Sequence, residues 1–258
     1  MRQADLKESV RRRYGHPAEV RQYTANAAEG ITPFEAALIR LAFAPGQKIL
    51  DIGCGGGREA IPMAQYGLKV VGMDLIPTMV QAARGCAIRN RQTIDYVVGD
   101  VATLPFCDRS FDGAVMLEQL IAFIPGHDHR LEVFQAVWRS LRPGGTLALT
   151  THNRRCHVKF RLYFACVNRL RRLARRLGCG GGLEDNDRMG ARVSRARVRQ
   201  QPVFFHMYDL DEVVADLRAA GFEVEVAKAR AEFEAGREDL ALREKDYLLG
   251  FIARRPEH

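Results

Sequence analysis

The sequence predicts an α/β protein in which helices cover both faces of a mostly parallel sheet. From Gln47 onward, short apolar segments alternate with segments of helical periodicity, which is typical of parallel strands joined by helical crossovers. The 258 residues are 47% hydrophobic, enough to bury one substantial core. We therefore predict strands at 48–52, 69–73, 95–98, 113–116, 146–150, 222–226 and 247–253, and helices near 57–66, 77–90, 129–141 and 209–220.

The segment before the sheet, residues 1–45, predicts a helical N-terminal cover on a main domain of residues 46–258. Thr32 and Glu35 have the spacing of a capping box, and Pro33 between them suits the first turn of a helix. Asp209 has a side chain and a charge that suit the start of the helix at 209–220.

Composition argues against several classes of protein. The most apolar stretch, 113–125, is short and contains Glu118, so no membrane-spanning helix is expected. The first residues are charged where a signal peptide requires an apolar block, and we expect a cytoplasmic protein. The six cysteines form no CxxC pair, which predicts free thiols and no metal site.

A glycine-rich turn follows the first predicted strand, with Asp51 just before it and Gly53, Gly55 and Gly57 within it. Glycine permits positive φ and lets a ligand approach the backbone closely. Small molecules bind at the carboxyl ends of parallel strands, and this turn lies at such an end. Glycines that merely make a tight turn would suffice as an explanation if no other feature supported a ligand.

Two more strands end in carboxylates. Asp74 ends the second predicted strand, where an acidic side chain can accept hydrogen bonds from both hydroxyls of a ribose. Asp100 follows the third, and it could accept a hydrogen bond from the exocyclic amine of adenine. Leu75 and Val101 offer apolar surface to the two faces of the adenine ring.

These motifs resemble the class I S-adenosylmethionine (SAM)-dependent methyltransferases, close to the small-molecule branch of ubiquinone and menaquinone methyltransferases. The resemblance spans about 47–151 and includes the loop 49–57 and the turn 141–145 before the fifth strand. It implies a three-layer Rossmann-like fold with seven strands, the last antiparallel, and SAM as methyl donor. It also implies that SAM contacts the cover and the ends of the first and fourth strands, at Tyr23, Cys54, Met116 and Glu118.

Two other functions remain alternatives. A dinucleotide-binding oxidoreductase would show G-x-G-x-x-G, but Arg58 stands at the last glycine position, and Asp51 would repel a pyrophosphate. The ammonium and sulfonium of SAM would instead be attracted by Asp51. A SAM-binding module without catalytic activity also fits, because donor motifs do not prove transfer.

Methyl transfer requires mainly that the acceptor be aligned with an already activated methyl group, and it needs a base only if the acceptor must lose a proton. The acceptor atom, O, N, S or C, stays open. Methyltransferases that act on base amines carry an Asn/Asp-Pro-Pro-aromatic motif after strand four, and this chain lacks it. Arsenite methyltransferase is a minor alternative, because the cysteines do not match a trithiolate arrangement. Candidate catalytic residues are Glu118, His152, His157, His206 and Tyr208.

Residues 152–207 predict an insertion that covers the acceptor as a lid. Between 154 and 199 there are fourteen Arg or Lys against three acids, in a chain of formal net charge +8. A helix is predicted here with an apolar face that covers the acceptor, and the glycines 180–182 would give the lid a joint. The apolar face comprises Phe160, Tyr163, Val167, Leu170, Leu173 and Leu177. The arginines are either solvated or indicate an anionic or lipophilic small-molecule acceptor, RNA, or an anionic membrane surface; the oligomeric state is open.

Overall fold

The computed structural model describes residues 3–179, 182–190 and 203–257, and only the backbone of residues 3–6. Within these ranges the chain forms a seven-stranded sheet flanked by helices, together with a separate two-stranded sheet. The three-layer α/β prediction is confirmed. None of the described helices combines the length and the apolar character that crossing a membrane requires.

The main sheet consists of β1 (Lys48–Ile52), β2 (Lys69–Asp74), β3 (Asp95–Val98), β4 (Phe111–Met116), β5 (Leu141–His152), β8 (Glu223–Ala229) and β9 (Leu248–Arg254). Their order across the sheet is β3-β2-β1-β4-β5-β9-β8. The strands β1 to β5 pair in parallel, and β9 lies antiparallel between β5 and β8. The antiparallel last strand is therefore confirmed. The fifth strand begins at Leu141, earlier than predicted, with a register shift between Phe111 and Gly113 of its neighbour.

The helices around this sheet are α1 (Gln3–Tyr14), α2 (Pro17–Glu29), α3 (Pro33–Ala42), α4 (Ala60–Gln65), α5 (Pro77–Arg89), α6 (His127–Ser140), α8 (Leu210–Ala219), α9 (Arg230–Ala235) and α10 (Leu240–Arg243). The capping box at the start of α3 forms as predicted: the Glu35 amide donates to Thr32 Oγ1 at 3.3 Å, and the Thr32 amide donates to Glu35 Oε2 at 2.8 Å. Asp209 caps α8 by accepting from the Glu212 amide at 3.1 Å. The sequence did not predict α9 and α10.

Helices bury both faces of the sheet. Alternate residues of β1 belong to different core clusters: Leu50 and Ile52 pack on one side, and Ile49 packs on the other. Burial on both sides requires apolar residues at successive strand positions, which is the pattern of Ile49 to Ile52 apart from Asp51. A buried carboxylate in this setting calls for a functional explanation.

The insertion after β5 contains α7 (Val158–Arg176) and an antiparallel pair formed by β6 (Asp187–Gly190) and β7 (Val203–His206). The strand β7 packs against α1 and against a short 3₁₀ helix, Leu120–Phe123, that follows β4. The helix was predicted, whereas the strand pair was not. Gly180 and Gly181 of the predicted joint lie outside the described residues, as do the predicted basic residues Arg192, Arg195, Arg197 and Arg199.

The prediction of which α7 face points inward was wrong in part. Phe160 and Val167 are half-buried and Phe164 is buried, whereas Tyr163, Leu170, Leu173 and Leu177 are exposed. The inward face is rotated because it also contains polar anchors. Asn168 exchanges hydrogen bonds with Asn186 at 2.8 and 2.9 Å, and Arg171 donates to the carbonyl of Glu184 at 2.9 Å.

Candidate functional site

The turn after β1 requires glycine for two reasons. Gly53 has φ of 78°, and a Cβ built on it would lie 2.8 Å from Leu120 Cδ2. A Cβ on Gly56 would lie 2.7 Å from the carbonyl oxygen of Tyr23. The loop thus packs directly against the N-terminal cover and the 3₁₀ helix, and its backbone forms one wall of the space between them.

This space consists of two adjoining cavities of about 450 and 110 Å³, which together we call the loop cavity. Both parts are lined by Tyr23, Gly53, Gly55 and Glu118. The larger part continues to the start of α3 and to Arg58 and Glu59, and the smaller part is more apolar and contains Tyr14, Asp74, Ile76, Met79, Leu120 and Phe123. An elongated ligand with one polar and one apolar end fits this shape.

Asp74, at the end of β2, lines the apolar part of the loop cavity. Its two oxygens accept hydrogen bonds from the amides of Gly55 at 2.9 Å and Ile76 at 2.8 Å, which fixes the carboxylate. Burial raises the pKa of Asp74, and the backbone hydrogen bonds work against this rise. Because each carboxylate oxygen can accept more than one hydrogen bond, a diol can still be bound.

Asp51 is buried at the end of β1, and its Oδ2 has no hydrogen-bond partner among the described groups. Burial raises the pKa of Asp51 well above its usual range, and the charges of Glu59 and Asp74 raise it further while Arg58 lowers it. A cationic ligand nearby would relieve this repulsion. The site is therefore built for positive charge.

Arg58 binds three carboxylates. Its guanidinium donates to Glu35 at 2.6 and 2.8 Å, to Glu59 at 2.5 Å and to Glu118 at 2.9 Å. The three carboxylates are close enough together to hold a cation, and among them the guanidinium takes that place. Burial raises the pKa of Glu59, with Arg58 opposing the rise, so this end of the loop cavity also favours a cation.

A strained turn after β4 places Glu118 beside the loop cavity. Glu118 and Gln119 have φ of 50° and 60°, a left-handed conformation that residues with a Cβ rarely adopt. The 3₁₀ helix begins immediately after them and contributes Leu120 and Phe123 to the wall. Strain of this kind accumulates at functional sites.

A second cavity of about 150 Å³ lies under the insertion, and we call it the lid cavity. It is lined by His152 at the end of β5, Tyr247 before β9, Phe160 of α7, Arg188 and Phe205 of the strand pair, and Met207 just after that pair. The Tyr247 hydroxyl lies 3.3 Å from His152 Nε2, and their rings are 4.6 Å apart.

One pair of aromatic rings separates the two cavities. Phe123 lines the loop cavity and Phe205 lines the lid cavity, and their ring centroids are 4.9 Å apart. Tyr14 of the N-terminal cover stands against Phe123 at 6.1 Å. The two cavities are therefore neighbours at the carboxyl ends of the strands, with an apolar partition between them.

The structure brings some of the predicted donor-site residues together but not others. Tyr23, Gly53, Cys54, Gly55, Asp74 and Glu118 line the loop cavity. Asp51, Leu75 and Val101 do not line it, and Ile76 stands where Leu75 was expected. Met116 is buried in the core, and Asp100 forms an ion pair with Lys7 of the N-terminal cover.

The five candidate catalytic residues are dispersed. His152 lines the lid cavity and Glu118 lines the loop cavity. His157 is exposed before α7. His206, at the end of β7, and Tyr208, two residues after it, are buried and line neither cavity. Of the five candidates, only Glu118 and His152 line one of the two cavities.

Sequence reasoning missed several residues of these walls. Arg58 was noted only because it breaks a glycine motif, although its place beside the loop was a usable signal. Phe123, Phe205 and Tyr247 come from segments far apart in the chain, and no local pattern marks them.

Residues 50–149 match a family model described as a methyltransferase domain. O-methyltransferase resE of Aspergillus sclerotiorum is 36% identical over 43% of this chain and 41% of its own length. Ubiquinone biosynthesis O-methyltransferase of Xanthomonas campestris pv. campestris (strain B100) is 36% identical over 43% of this chain and 45% of its length. The chain therefore spans less than half of each of these relatives.

The crystal structure of a SAM-dependent methyltransferase from Methanosarcina mazei superposes with a TM-score of 0.64 at 24% identity, covering 89% of this chain and 100% of that one. The family match and the structural superposition agree with the fold and with the glycine-rich loop described above. Residues 50–149 are therefore similar to a methyltransferase domain, and the described chain has the fold of the Methanosarcina mazei protein.

Proposed function

We propose that this protein transfers the methyl group of SAM to a hydroxyl oxygen of a small, ring-containing acceptor bound in the lid cavity. The observation that carries the proposal is the position of the two cavities on either side of the Phe123–Phe205 pair, at a ring separation of 4.9 Å. One cavity is acidic and bounded by the glycine loop, and the other is small and lies under the insertion.

The residues of the loop cavity fit SAM. Asp74 can accept from the ribose hydroxyls, and Ile76 and Met79 provide apolar surface for the adenine. The ammonium and sulfonium find the negative field of Glu59 and Glu118 in the wall and of Asp51, which is buried at the end of β1 and does not itself line the cavity. For Asp100 to accept a hydrogen bond from the adenine amine, its ion pair with Lys7 would have to break.

The lid cavity sets the class of acceptor. A volume of about 150 Å³ holds one six-membered ring, and Phe160, Phe205 and Met207 supply apolar contacts for it. Exposed Arg188 at this cavity favours an anionic substituent on the ring. The two relatives named above are O-methyltransferases, which favours oxygen as the acceptor atom.

SAM supplies a methyl carbon that an oxygen lone pair can attack in line, while the C–S electron pair returns to sulfur. The acceptor hydroxyl loses its proton in this step, and the proposed acceptor of that proton is His152, whose Nε2 lies 3.3 Å from the Tyr247 hydroxyl. Because the acceptor oxygen must touch the methyl carbon, transfer requires the Phe123 and Phe205 rings to move apart when both ligands are bound. The insertion then excludes water from the reacting atoms.

Isothermal calorimetry and a radiolabelled transfer assay test the proposal. Asp74→Ala should weaken SAM binding by roughly 10- to 100-fold because a charged acceptor for the ribose is lost. The control is Asp95→Ala, which removes an exposed carboxylate at the start of β3, at the sheet edge opposite to Asp74, and should leave SAM binding unchanged. Simple phenols and catechols offered with labelled SAM should become methylated, and His152→Ala should lower kcat without changing SAM affinity.

The other outcomes separate the alternatives. SAM binding without transfer to any small-molecule, lipid or RNA fraction indicates a non-catalytic module. Transfer of the labelled methyl group to RNA would contradict the proposal that the acceptor is a small molecule. Arsenite is disfavoured because, among the described residues, the only close group of potential metal ligands consists of three glutamates and contains no cysteine. Unchanged SAM affinity in Asp74→Ala would refute the donor site.

A further inference from the structure

The outward face of α7 is apolar and uncovered. Of the twelve exposed large hydrophobic side chains among the described residues, six lie on this helix or at its end, each between 47% and 69% exposed. They are Val158, Leu162, Tyr163, Leu170, Leu173 and Leu177. Exposed hydrophobic residues that occur singly need no explanation, but a row of them along one helix marks a contact surface.

The same helix is strongly basic. It contains seven Lys or Arg and no acidic residue. Arg161 pairs with Glu244, and Arg172 and Arg175 pair with Asp185. Lys159, Arg169 and Arg176 form no ion pair within the part of the chain that the structure describes. Arg169 and Arg176 flank Leu173 at spacings of four and three residues, so they border the apolar row.

We propose that α7 binds an anionic lipid bilayer, lying flat in the headgroup region with its leucine row inserted. An apolar row bordered by unpaired Arg and Lys fits acyl chains and lipid phosphates at the same time, because long basic side chains can reach up to the headgroups. RNA would match the arginines but would leave the leucines in water. The helix, about 28 Å long at 1.5 Å per residue, rests on the surface and does not span it.

The position of this surface gives it a role in substrate supply. Phe160 on the inward side of α7 lines the lid cavity, so the bilayer would lie about one helix diameter, roughly 10 Å, from that cavity. Resting on the proposed function, this geometry makes the acceptor a lipid-soluble molecule whose ring reaches His152 from the membrane. Binding of the bilayer itself does not depend on methyl transfer.

Vesicle co-sedimentation with the full chain tests the proposal. The wild type should bind vesicles of phosphatidylcholine with 30% phosphatidylglycerol, a composition chosen at roughly physiological anionic content, and should bind pure phosphatidylcholine at least tenfold more weakly. The triple variant Leu162→Ser, Leu170→Ser, Leu173→Ser should lose at least tenfold in vesicle affinity. Arg169→Gln with Arg176→Gln should weaken binding to anionic vesicles and reduce its dependence on salt.

A matched control removes three leucine or isoleucine side chains of similar exposure elsewhere. Leu41, Ile88 and Leu240 are 62%, 75% and 68% exposed, and their triple serine variant should bind vesicles like the wild type. SAM affinity by calorimetry, which should be equal in all variants, shows that each one is folded. Vesicle binding without transfer would leave this proposal standing and refute the function proposed above.

Three results would overturn the membrane proposal. The two triple variants could bind vesicles equally. The wild type could bind an RNA oligomer but not anionic vesicles, with the arginine and not the leucine variant defective. Sedimentation velocity could show a dimer that the Leu162, Leu170, Leu173 variant loses, together with absent vesicle binding, which would make a second copy of this chain the occupant of the surface.

Discussion

Gln119 illustrates how single residues hold the site in shape. Its φ of 60° costs a residue with a Cβ about 1–2 kcal/mol, and its carbonyl accepts from the Ala122 amide at 2.9 Å to start the 3₁₀ helix. This turn lets the 3₁₀ helix begin where it places Leu120 and Phe123 in the wall of the loop cavity. The strain is local and can be relieved without removing a wall residue.

We expect Gln119→Gly to raise the free energy of unfolding by about 0.5–1 kcal/mol and Gln119→Val to lower it by at least about 1 kcal/mol, since glycine tolerates positive φ and valine does not. Urea denaturation measures both. Gln81, exposed in α5, is the control: there glycine should destabilise, because the backbone is helical. A glycine variant at 119 that is less stable than the wild type would show that the turn is not strained.

His206 shows a buried histidine with a structural role. Its Nδ1 lies 2.8 Å from Asp187 Oδ1 and its Nε2 lies 2.6 Å from Glu212 Oε1, which joins β6, β7 and α8. Burial alone would lower the pKa of His206, but the hydrogen bonds to the two carboxylates outweigh burial and raise it. The nearby Arg130 opposes this rise.

Because the folded-state pKa is raised, His206 contributes stability that is complete below the unfolded pKa of about 6.5 and is lost as pH rises through the folded pKa. The free energy of unfolding should therefore fall as pH rises above about 6.5, and His206→Gln should remove this part of the pH dependence. NMR titration of the imidazole provides an independent measure. A folded pKa below that of free histidine would contradict the assignment.

The sequence predicted those wall residues whose positions follow from local secondary structure. Gly53, Gly55 and Asp74 lie at strand ends that hydrophobic periodicity identifies, so their meeting at one sheet edge follows from parallel pairing. Phe123 and Phe205 are 82 positions apart and meet only through the packing of β7 on the 3₁₀ helix. Such contacts depend on tertiary structure, and no local pattern encodes them.

At the scale of elements, α7 shows what periodicity can and cannot determine. Apolar residues cover more than half of its circumference, so the pattern predicts a helix but leaves its rotation open. Asn168 and Arg171 decide the rotation by bonding to residues 184–186, which follow a glycine-rich segment without periodicity. The strands β6 and β7, four residues each, are too short for alternation to reveal them.

At the scale of the whole molecule, two segments far apart in the sequence, the N-terminal cover and the insertion after β5, close the same sheet edge. The N-terminal cover reaches the loop cavity through Tyr14 and Tyr23, and Lys7 pairs with Asp100. The insertion reaches it through Phe205 against Phe123. A ligand that fills the loop cavity would therefore contact the N-terminal cover as well as the sheet.

Binding of S-adenosylhomocysteine should therefore stabilise the whole molecule and slow hydrogen exchange most strongly in α1 and α2. At a ligand concentration of about 100 times Kd, mass action adds about 2.7 kcal/mol, which for a chain of this size raises Tm by roughly 5–10 °C. Differential scanning fluorimetry and exchange mass spectrometry measure the two effects, and Asp74→Ala at the same ligand concentration should show neither. Protection confined to the ends of β1 and β2, with α1 and α2 exchanging as in the free protein, would mean that the ligand binds the sheet alone and that the N-terminal helices do not form part of the donor site.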